Sequence, residues 1–527
     1  MTQDLIDNQN YISGSPTTRI VANGAQFITK SQYFAATGGK ALLYYNPATG
    51  VTPNAYTTLN AATIKTVKLD PRTTFIDPAY DINSAHEHTG YADIAYRFDN
   101  NSVLKFESFI NTLSARNYQS YGFATVFNSQ VTEQRLSYKF DFNAGPVVVK
   151  SIVGGSYRYL AAHDLGNLDD FALSEDRRDI SVGATADDRF NDPFLSSNYS
   201  WATSVFSHVA DLGGFALTDM TYGRLSLTLG GRVDDYHVAA VNMGSEVNGV
   251  YTSYRDHKTP FSWNTSLTYK LGDYSFYGTY ARSKSLQLTQ GGAVTPSLIP
   301  TGGYLGASKL AELGVKTSQM GGKLFASLDI YEQQRSYVSR PATGVATVSA
   351  LRTDGIEAEL RWLATPRFGL TATGTYQRTK QLPTAGNGLF ITEPGCLTNA
   401  GCTNTWAGYT YAYTNVLGLT NGYYLHSSPD FAGSLFATYD YKGKWGLTGG
   451  MTYASQTGGF LPGAIRLPSY ALFKIGGYAA RGGIRADVNI DNLFNKLYFL
   501  ANSDTDANAN VLPGIGRTFH VKLSYAF

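Results

Sequence analysis

Ile484-Arg485-Ala486-Asp487-Val488-Asn489-Ile490-Asp491 alternates strictly, and so does Thr518-Phe519-His520-Val521-Lys522-Leu523-Ser524-Tyr525-Ala526-Phe527. Successive side chains of a strand point to opposite faces. Ile484, Ala486, Val488 and Ile490 therefore share one face, and Arg485, Asp487, Asn489 and Asp491 the other. In the second stretch Phe519, Val521, Leu523, Tyr525 and Phe527 oppose Thr518, His520, Lys522, Ser524 and Ala526. Each strand has one apolar face and one polar face, and the chain ends on an aromatic residue.

The same alternation runs back to Thr89. Ala92, Ile94, Tyr96 and Phe98 alternate with Asp93, Ala95 and Arg97; Leu136, Tyr138, Phe140 and Phe142 stand against Arg135, Lys139 and Asp141. About seventeen strands follow one another. Their connections alternate in length. Short ones fall at 99–102, 271–273, 319–322, 365–367, 441–444 and 480–483; long ones occupy 160–200, 237–260, 284–310, 335–354, 379–429 and 495–516. Short turns at one end and long loops at the other are the pattern of an outer-membrane barrel.

Composition agrees. The 527 residues include 38 Tyr, 28 Phe and 54 Gly but only 2 Cys and 5 Met. Mean hydropathy is −0.19, and no run of about 18 apolar residues is present, which argues against a transmembrane helix. A soluble sandwich also alternates. The number of strands, the asymmetry of the turns and the charges of both signs on the polar faces favour a membrane barrel, because a lipid face tolerates neither sign. The net charge of +2, without a basic stripe, gives no sign of a nucleic-acid partner.

The carboxy-terminal run Val488-Asn489-Ile490-Asp491-Asn492-Leu493-Phe494-Asn495-Lys496-Leu497-Tyr498 resembles the N-L-F-(D/N)-K-x-Y signature of TonB-dependent outer-membrane receptors. Gly516-Arg517-Thr518-Phe519 and the strand ending at Phe527 are similar to that family's closing strand. Ala311-Glu312-Leu313-Gly314-Val315-Lys316, Gly355-Ile356-Glu357-Ala358-Glu359-Leu360 and Leu229-Gly230-Gly231-Arg232-Val233-Asp234 resemble further family hairpins. The resemblance covers 89–527. It implies an all-β fold, a transmembrane antiparallel β-barrel of the 22-stranded type, here reduced to about seventeen strands. Residues 1–88 are expected to be a polar extracellular loop region and 89–527 the barrel.

The resemblance also implies a function: uptake of a bulky, scarce nutrient, energised by the TonB complex through a plug domain. An iron–siderophore complex is the first expectation; oligosaccharide, haem or cobalamin uptake, or a passive porin-like or structural barrel, are the alternatives. The partners implied are outer-membrane lipid, the TonB complex and a small-molecule iron chelate, with no cofactor. No plug domain is visible, and Met1-Thr2-Gln3-Asp4 opens no export signal. The expectation is a fragment or an internally placed start, whose first and last strands meet in a smaller barrel or leave a gap.

Enzyme chemistry finds no support: no G-x-S-x-G elbow, P-loop or H-E-x-x-H occurs. His86 and His88 place two imidazoles on one strand face, where a solvated edge is the simpler reading. Asp504 and Asp506 lack the ordered spacing of a calcium loop. Arg485, Asp487, Glu357 and Arg361 read as charges facing a plug. The 379–429 loop stands apart, with Trp406, Tyr409, Tyr411 and Tyr413 as candidate ligand-binding residues that stack on a ring; an aromatic girdle at the membrane interface is the alternative. Cys396 and Cys402 enclose a short polar loop, and a disulfide in an oxidising compartment stands against two reduced thiols.

Overall fold

The structure, a computed structural model, describes residues 10–13, 19–20, 27–28, 65–68, 70–73, 82–119, 122–166, 201–339, 347–382, 389–394, 405–406, 409–414, 423–458, 466–501 and 511–526. Seventeen long strands build one closed barrel, and two short strands, Ser253–Lys258 and Tyr423–Tyr424, extend it at the outer rim. The long strands are β1 Ile82–Arg97, β2 Val103–Gln119, β3 Gly122–Ala144, β4 Val147–Gly166, β5 Thr203–Tyr222 and β6 Leu225–Asn242. Next come β7 Phe261–Leu271, β8 Tyr274–Leu286, β9 Leu305–Gln319, β10 Leu324–Ser339, β11 Thr347–Thr365 and β12 Phe368–Gln381. The last are β13 Phe431–Tyr441, β14 Trp445–Ala454, β15 Tyr470–Arg481, β16 Ile484–Asp491 and β17 Thr518–Tyr525.

Each strand pairs antiparallel with its sequence neighbour. In β6, Leu229 lies opposite Thr218 of β5 and Thr265 of β7; in the final hairpin, Val488 lies opposite Val521. Sixteen antiparallel steps leave β1 and β17 running the same way. The pair that closes the barrel is therefore parallel, a pairing slightly less stable per residue than an antiparallel one.

Side-chain parity gives the faces. On β6, Leu225, Leu229 and Val233 are exposed on the outer surface, while Arg232, Asp234 and Tyr236 share the inner one. Apolar residues outside and charges inside suit a barrel whose solvent is lipid. Outward apolar residues on β6 run from Leu225 to Val233, and a span of about 9–11 residues crosses a bilayer core.

Eight short connections lie at one end. Seven of the eight contain a residue in the left-handed region, among them Asn101 (φ 63°), Gly145 (φ 61°), Gly223 (φ 56°), Gly272 (φ 58°) and Gly482 (φ 58°). Tight hairpin turns need that conformation, which Gly and Asn adopt at little cost. At the other end the wall is uneven. β3 has 23 residues and β4 and β5 have 20 each, whereas β16 and β17 have 8 each. β2–β6 therefore rise well beyond the length needed to cross the membrane.

The Asn-Leu-Phe-Asn run closes β16. Asn492 (φ 46°) and Asn495 (φ 52°) are both left-handed, a region in which Asn is favoured over other side chains. The Asn492 amide donates to the carbonyls of Lys496 (2.9 Å) and Ile515 (3.1 Å), and its oxygen accepts from the Lys496 N–H (2.8 Å). Asn495 Oδ1 accepts from the Arg517 N–H (3.0 Å) and from Arg72 (3.1 Å). Arg72 in turn holds Asp70 at 2.8 Å, and that bond holds the Asp70 carboxyl below its ordinary range. The segment before β1 is thus tied to the loop before β17, at the outer end of the closing pair.

Candidate functional site

The inner wall is charged on several arcs. On β4–β6, Arg232 Nη2 lies 2.5 Å from Asp234 and 3.6 Å from Asp211, and donates to Ser156 Oγ at 3.1 Å. Gly213 makes this packing possible: a Cβ there would sit 2.2 Å from the Arg232 guanidinium. On β9–β11, Glu312, Asp329 and Glu357 lie near one another, with Lys316 over the Tyr277 ring at 4.5 Å. Near the short-turn end, Arg485 pairs with Asp487 at 2.7 Å and lies 3.7 Å from the Tyr478 ring centroid. A hollow of about 440 Å³ opens on the wall of β13–β17, lined by Phe436, Thr438, Lys474, Asn489, Asp491 and His520. Gly450 and Gly476 deepen the wall there, since a Cβ at either would strike Phe436 or Asn489.

Charges of both signs and sparse apolar surface make a wall that holds polar groups by hydrogen bonds and ion pairs. None of these arcs brings a nucleophile to a base. Arg485 and Asp487 pair on β16, while Glu357 and Arg361 are on β11, where Arg361 pairs with Glu359; the four fall on two separate arcs.

The outer mouth is reshaped by residues 287–304, the connection from β8 to β9. This segment folds inward against the inner face of the tall wall. Val294 and Tyr304 are fully buried, and Leu298 and Ile299 nearly so, against Leu160, Val209, Tyr236 and Val238. Full burial of such side chains is worth about 1.5–3 kcal/mol each. Polar contacts fix the register. Thr289 Oγ1 donates to Asp164 and accepts from the Ala293 N–H at 2.9 Å. The Val294 N–H donates to Ser207 Oγ at 3.0 Å, and the Tyr304 hydroxyl to Asp256 at 3.0 Å. Burial, with that bond to Asp256, pushes the Tyr304 phenol above its ordinary pKa, so it remains a donor. Gly291 is the point of closest approach: a Cβ there would lie 2.1 Å from Asp164 Oδ1.

Trp406 lies in the short strand Thr405–Trp406, and Tyr409, Tyr411 and Tyr413 in Tyr409–Thr414, which also pairs with Leu389–Pro394. Their side chains, and Cys396, Cys402, Asp504 and Asp506, lie outside the described residues. His86 and His88 share one exposed face of β1. The inward fold of 287–304 was not anticipated. Its signal was present in Leu288, Ala293, Val294, Leu298 and Ile299, an apolar content that a solvated loop does not need.

A family model described as "TonB dependent receptor-like, beta-barrel" matches residues 7–493. The chain belongs to the TonB-dependent receptor family. Solved structures with the same fold include the siderophore receptor PiuA from Acinetobacter baumannii, at TM-score 0.65 and 15% identity, covering 85% of this chain and 65% of that one. The ferric-catecholate import receptor Fiu from E. coli K12 matches at TM-score 0.63 and 13% identity, covering 86% and 66%. The ferric citrate transporter FecA matches at TM-score 0.61 and 16% identity, covering 85% and 62%. The chain thus spans 62–66% of the length of these receptors, less than two thirds, and identities this low establish the fold alone. No curated protein sequence matches. The family is one of outer-membrane barrels. The expected all-β transmembrane barrel is what the structure contains, and its ends meet.

Proposed function

We propose that this TonB-dependent receptor takes up a bulky iron–siderophore complex, with energy supplied through TonB. The observation that supports the reading is a wide, closed barrel with charges of both signs on its inner wall, in the fold of receptors named for siderophores and ferric complexes. Such a complex is polar and often anionic, and Arg232, Lys316, Lys474 and Arg485 line its path. Capture at the outer mouth falls to the 379–429 loop, where Trp406, Tyr409, Tyr411 and Tyr413 stack on an aromatic chelate. A Cys396–Cys402 disulfide would lower the entropy lost when that loop orders.

The test is uptake of radiolabelled iron under iron restriction, with catecholate, hydroxamate and citrate complexes offered singly to cells with and without this gene. The reading expects one class to depend on the gene and on TonB. Gene-dependent uptake that persists without TonB would make the barrel a passive pore. Deletion of 396–415 should weaken binding without loss of barrel insertion; unchanged affinity would reduce the aromatic cluster to an interface girdle.

A further inference from the structure

Asp235, His237 and His257 converge at the outer rim, and their candidate ligand atoms all lie within 4.8 Å of one another. Among the described residues this is the one group of three His, Cys, Asp or Glu side chains so arranged. The backbone dictates the arrangement. His237 and His257 are directly opposite on β6 and the adjoining strand Ser253–Lys258. Asp235 is two residues before His237, so it shares that face. The face is the outward one, two residues beyond Val233, where the apolar surface of β6 ends. The site therefore lies outside the lumen, at the outer edge of the membrane, away from any transported ligand.

The rings lie nearly face to face, with centroids 4.5 Å apart and planes 30° apart, so both Nε2 atoms reach the same carboxylate. His237 Nε2 is 3.2 Å from Asp235 Oδ2, and His257 Nε2 approaches Oδ1. Thr259 Oγ1 donates to Oδ1 at 3.1 Å and orients the carboxylate, as supporting groups around metal ligands do. Both imidazoles are more than half exposed, so packing does not impose this convergence.

We propose that Asp235, His237 and His257 bind a borderline divalent transition metal such as zinc. Two imidazole nitrogens and one carboxylate form a donor set for zinc, nickel or copper, not for calcium or magnesium, which take oxygen. Ligands about 2.0–2.1 Å from a tetrahedral zinc stand roughly 3.4 Å apart, close to the 3.2 Å between His237 and Asp235. Three protein ligands leave one position open to water. The metal cross-links β6 to Ser253–Lys258, whose inner face holds the inward-folded segment through Tyr254 and through Asp256, the acceptor of Tyr304. A cation on the outer surface thus stiffens the wall of the mouth.

The experiment uses the receptor extracted from outer membranes and purified through a tag without histidines. Zinc bound after dialysis is counted by mass spectrometry, and Co²⁺ absorption reports the ligand field. One zinc per chain is expected. Removing a supporting group around a metal costs about 10–100-fold in affinity, so His257→Gln, His237→Gln and Asp235→Asn should each weaken binding at least about tenfold. A His86→Gln/His88→Gln double variant should bind as the parent does. Heat-modifiable gel migration verifies folding of each variant; if His257→Gln does not fold, His237→Gln carries the comparison. Absence of stoichiometric zinc, or binding that survives these changes, overturns the site and leaves a carboxylate hydrogen-bonded by two imidazoles.

Discussion

The barrel has a tall side and a low side. On β2–β6 the strands are 17–23 residues long, and their inner face carries the buried cluster around Val294 and Tyr304. On β16 and β17 the strands have 8 residues. The tall side has acquired a local core made by the 287–304 segment. Among the described residues the low side has no inward segment of this kind, only the single buried side chains Leu467 and Phe499, and its lipid-facing residues are more open: Val521 and Leu523 on β17 are 76% and 75% exposed, against 44% for Leu229 and Val233 on β6. Strand count alone therefore does not describe this wall. Antiparallel neighbours share an extended ladder on one side, and on the other a parallel pair closes an odd-numbered ring. The β1 and β17 amides should accordingly exchange with solvent much faster than those of β4–β6, since protection follows local stability.

The largest expected effect tests what the tall side gains from its inner segment. Tyr304→Ala removes a fully buried ring and the bond to Asp256, and aromatic-to-alanine changes in a core cost about 3–5 kcal/mol. The segment 287–304 should detach and become sensitive to protease, with the barrel still heat-modifiable on a gel. A segment that stays protected would mean that the cluster around Val294 suffices without the tyrosine.

The next effect concerns depth on the same wall. Leu229→Arg puts a cation at the middle of the outward apolar run of β6 and should cost about 2–4 kcal/mol, while Leu212→Arg, opposite Asp235 at the rim, should cost about 1 kcal/mol or less. Refolding into lipid vesicles across a urea series measures both. Equal penalties would shift the membrane boundary outward, beyond Asp235.

A smaller effect is expected where the low side ends. Asn492→Ala leaves a left-handed residue without the side chain that favours it and removes three hydrogen bonds. Groups left unpaired cost about 1–3 kcal/mol. The final hairpin should open more readily, seen as loss of protection confined to β15–β17.

Much of this contrast was legible in the sequence, and the rest was hidden for identifiable reasons. The lipid-crossing halves of the strands were readable because one face must be apolar: Leu225, Leu227, Leu229 and Val233 leave no other period. The upper parts of β2 and β3 were not. Asn111, Thr112, Ser114 and Asn117 on β2, and Asn128, Ser129, Gln130, Thr132 and Glu133 on β3, put polar residues on both faces, since above the membrane neither face meets lipid, and the alternation fades there. The apolar content of 287–304 signals burial, but not where: Val294 and Leu160 share one cluster, and no local pattern records that distance along the chain. The pair His237 and His257 was concealed for the same reason, within a stretch that reads as one loop from 237 to 260. Trp406, Tyr409, Tyr411 and Tyr413 stand out by composition alone, and the uptake and deletion experiments test their role.

The smallest effect lies at the closing pair itself. Arg72 reaches Asn495 at 3.1 Å and is held by Asp70, which ties the segment before β1 to the loop before β17. Arg72→Ala removes this tie but leaves Asn495 its second bond, from the Arg517 N–H. All of these groups are at or near the surface, where such pairs contribute about 0–1 kcal/mol, so global stability should not move measurably. Local opening should: amides at the outer end of β17, around Thr518 and Phe519, should exchange faster, while those near Tyr525 should not. Lowering the pH enough to protonate Asp70 should act in the same direction. Its folded pKa is depressed, so its contribution is present above the unfolded value and disappears as pH falls through the folded one. Faster exchange along the whole of β17 would mean that the closing pair opens as one unit from the outer end, and that the tie holds more of the low side than its own two residues.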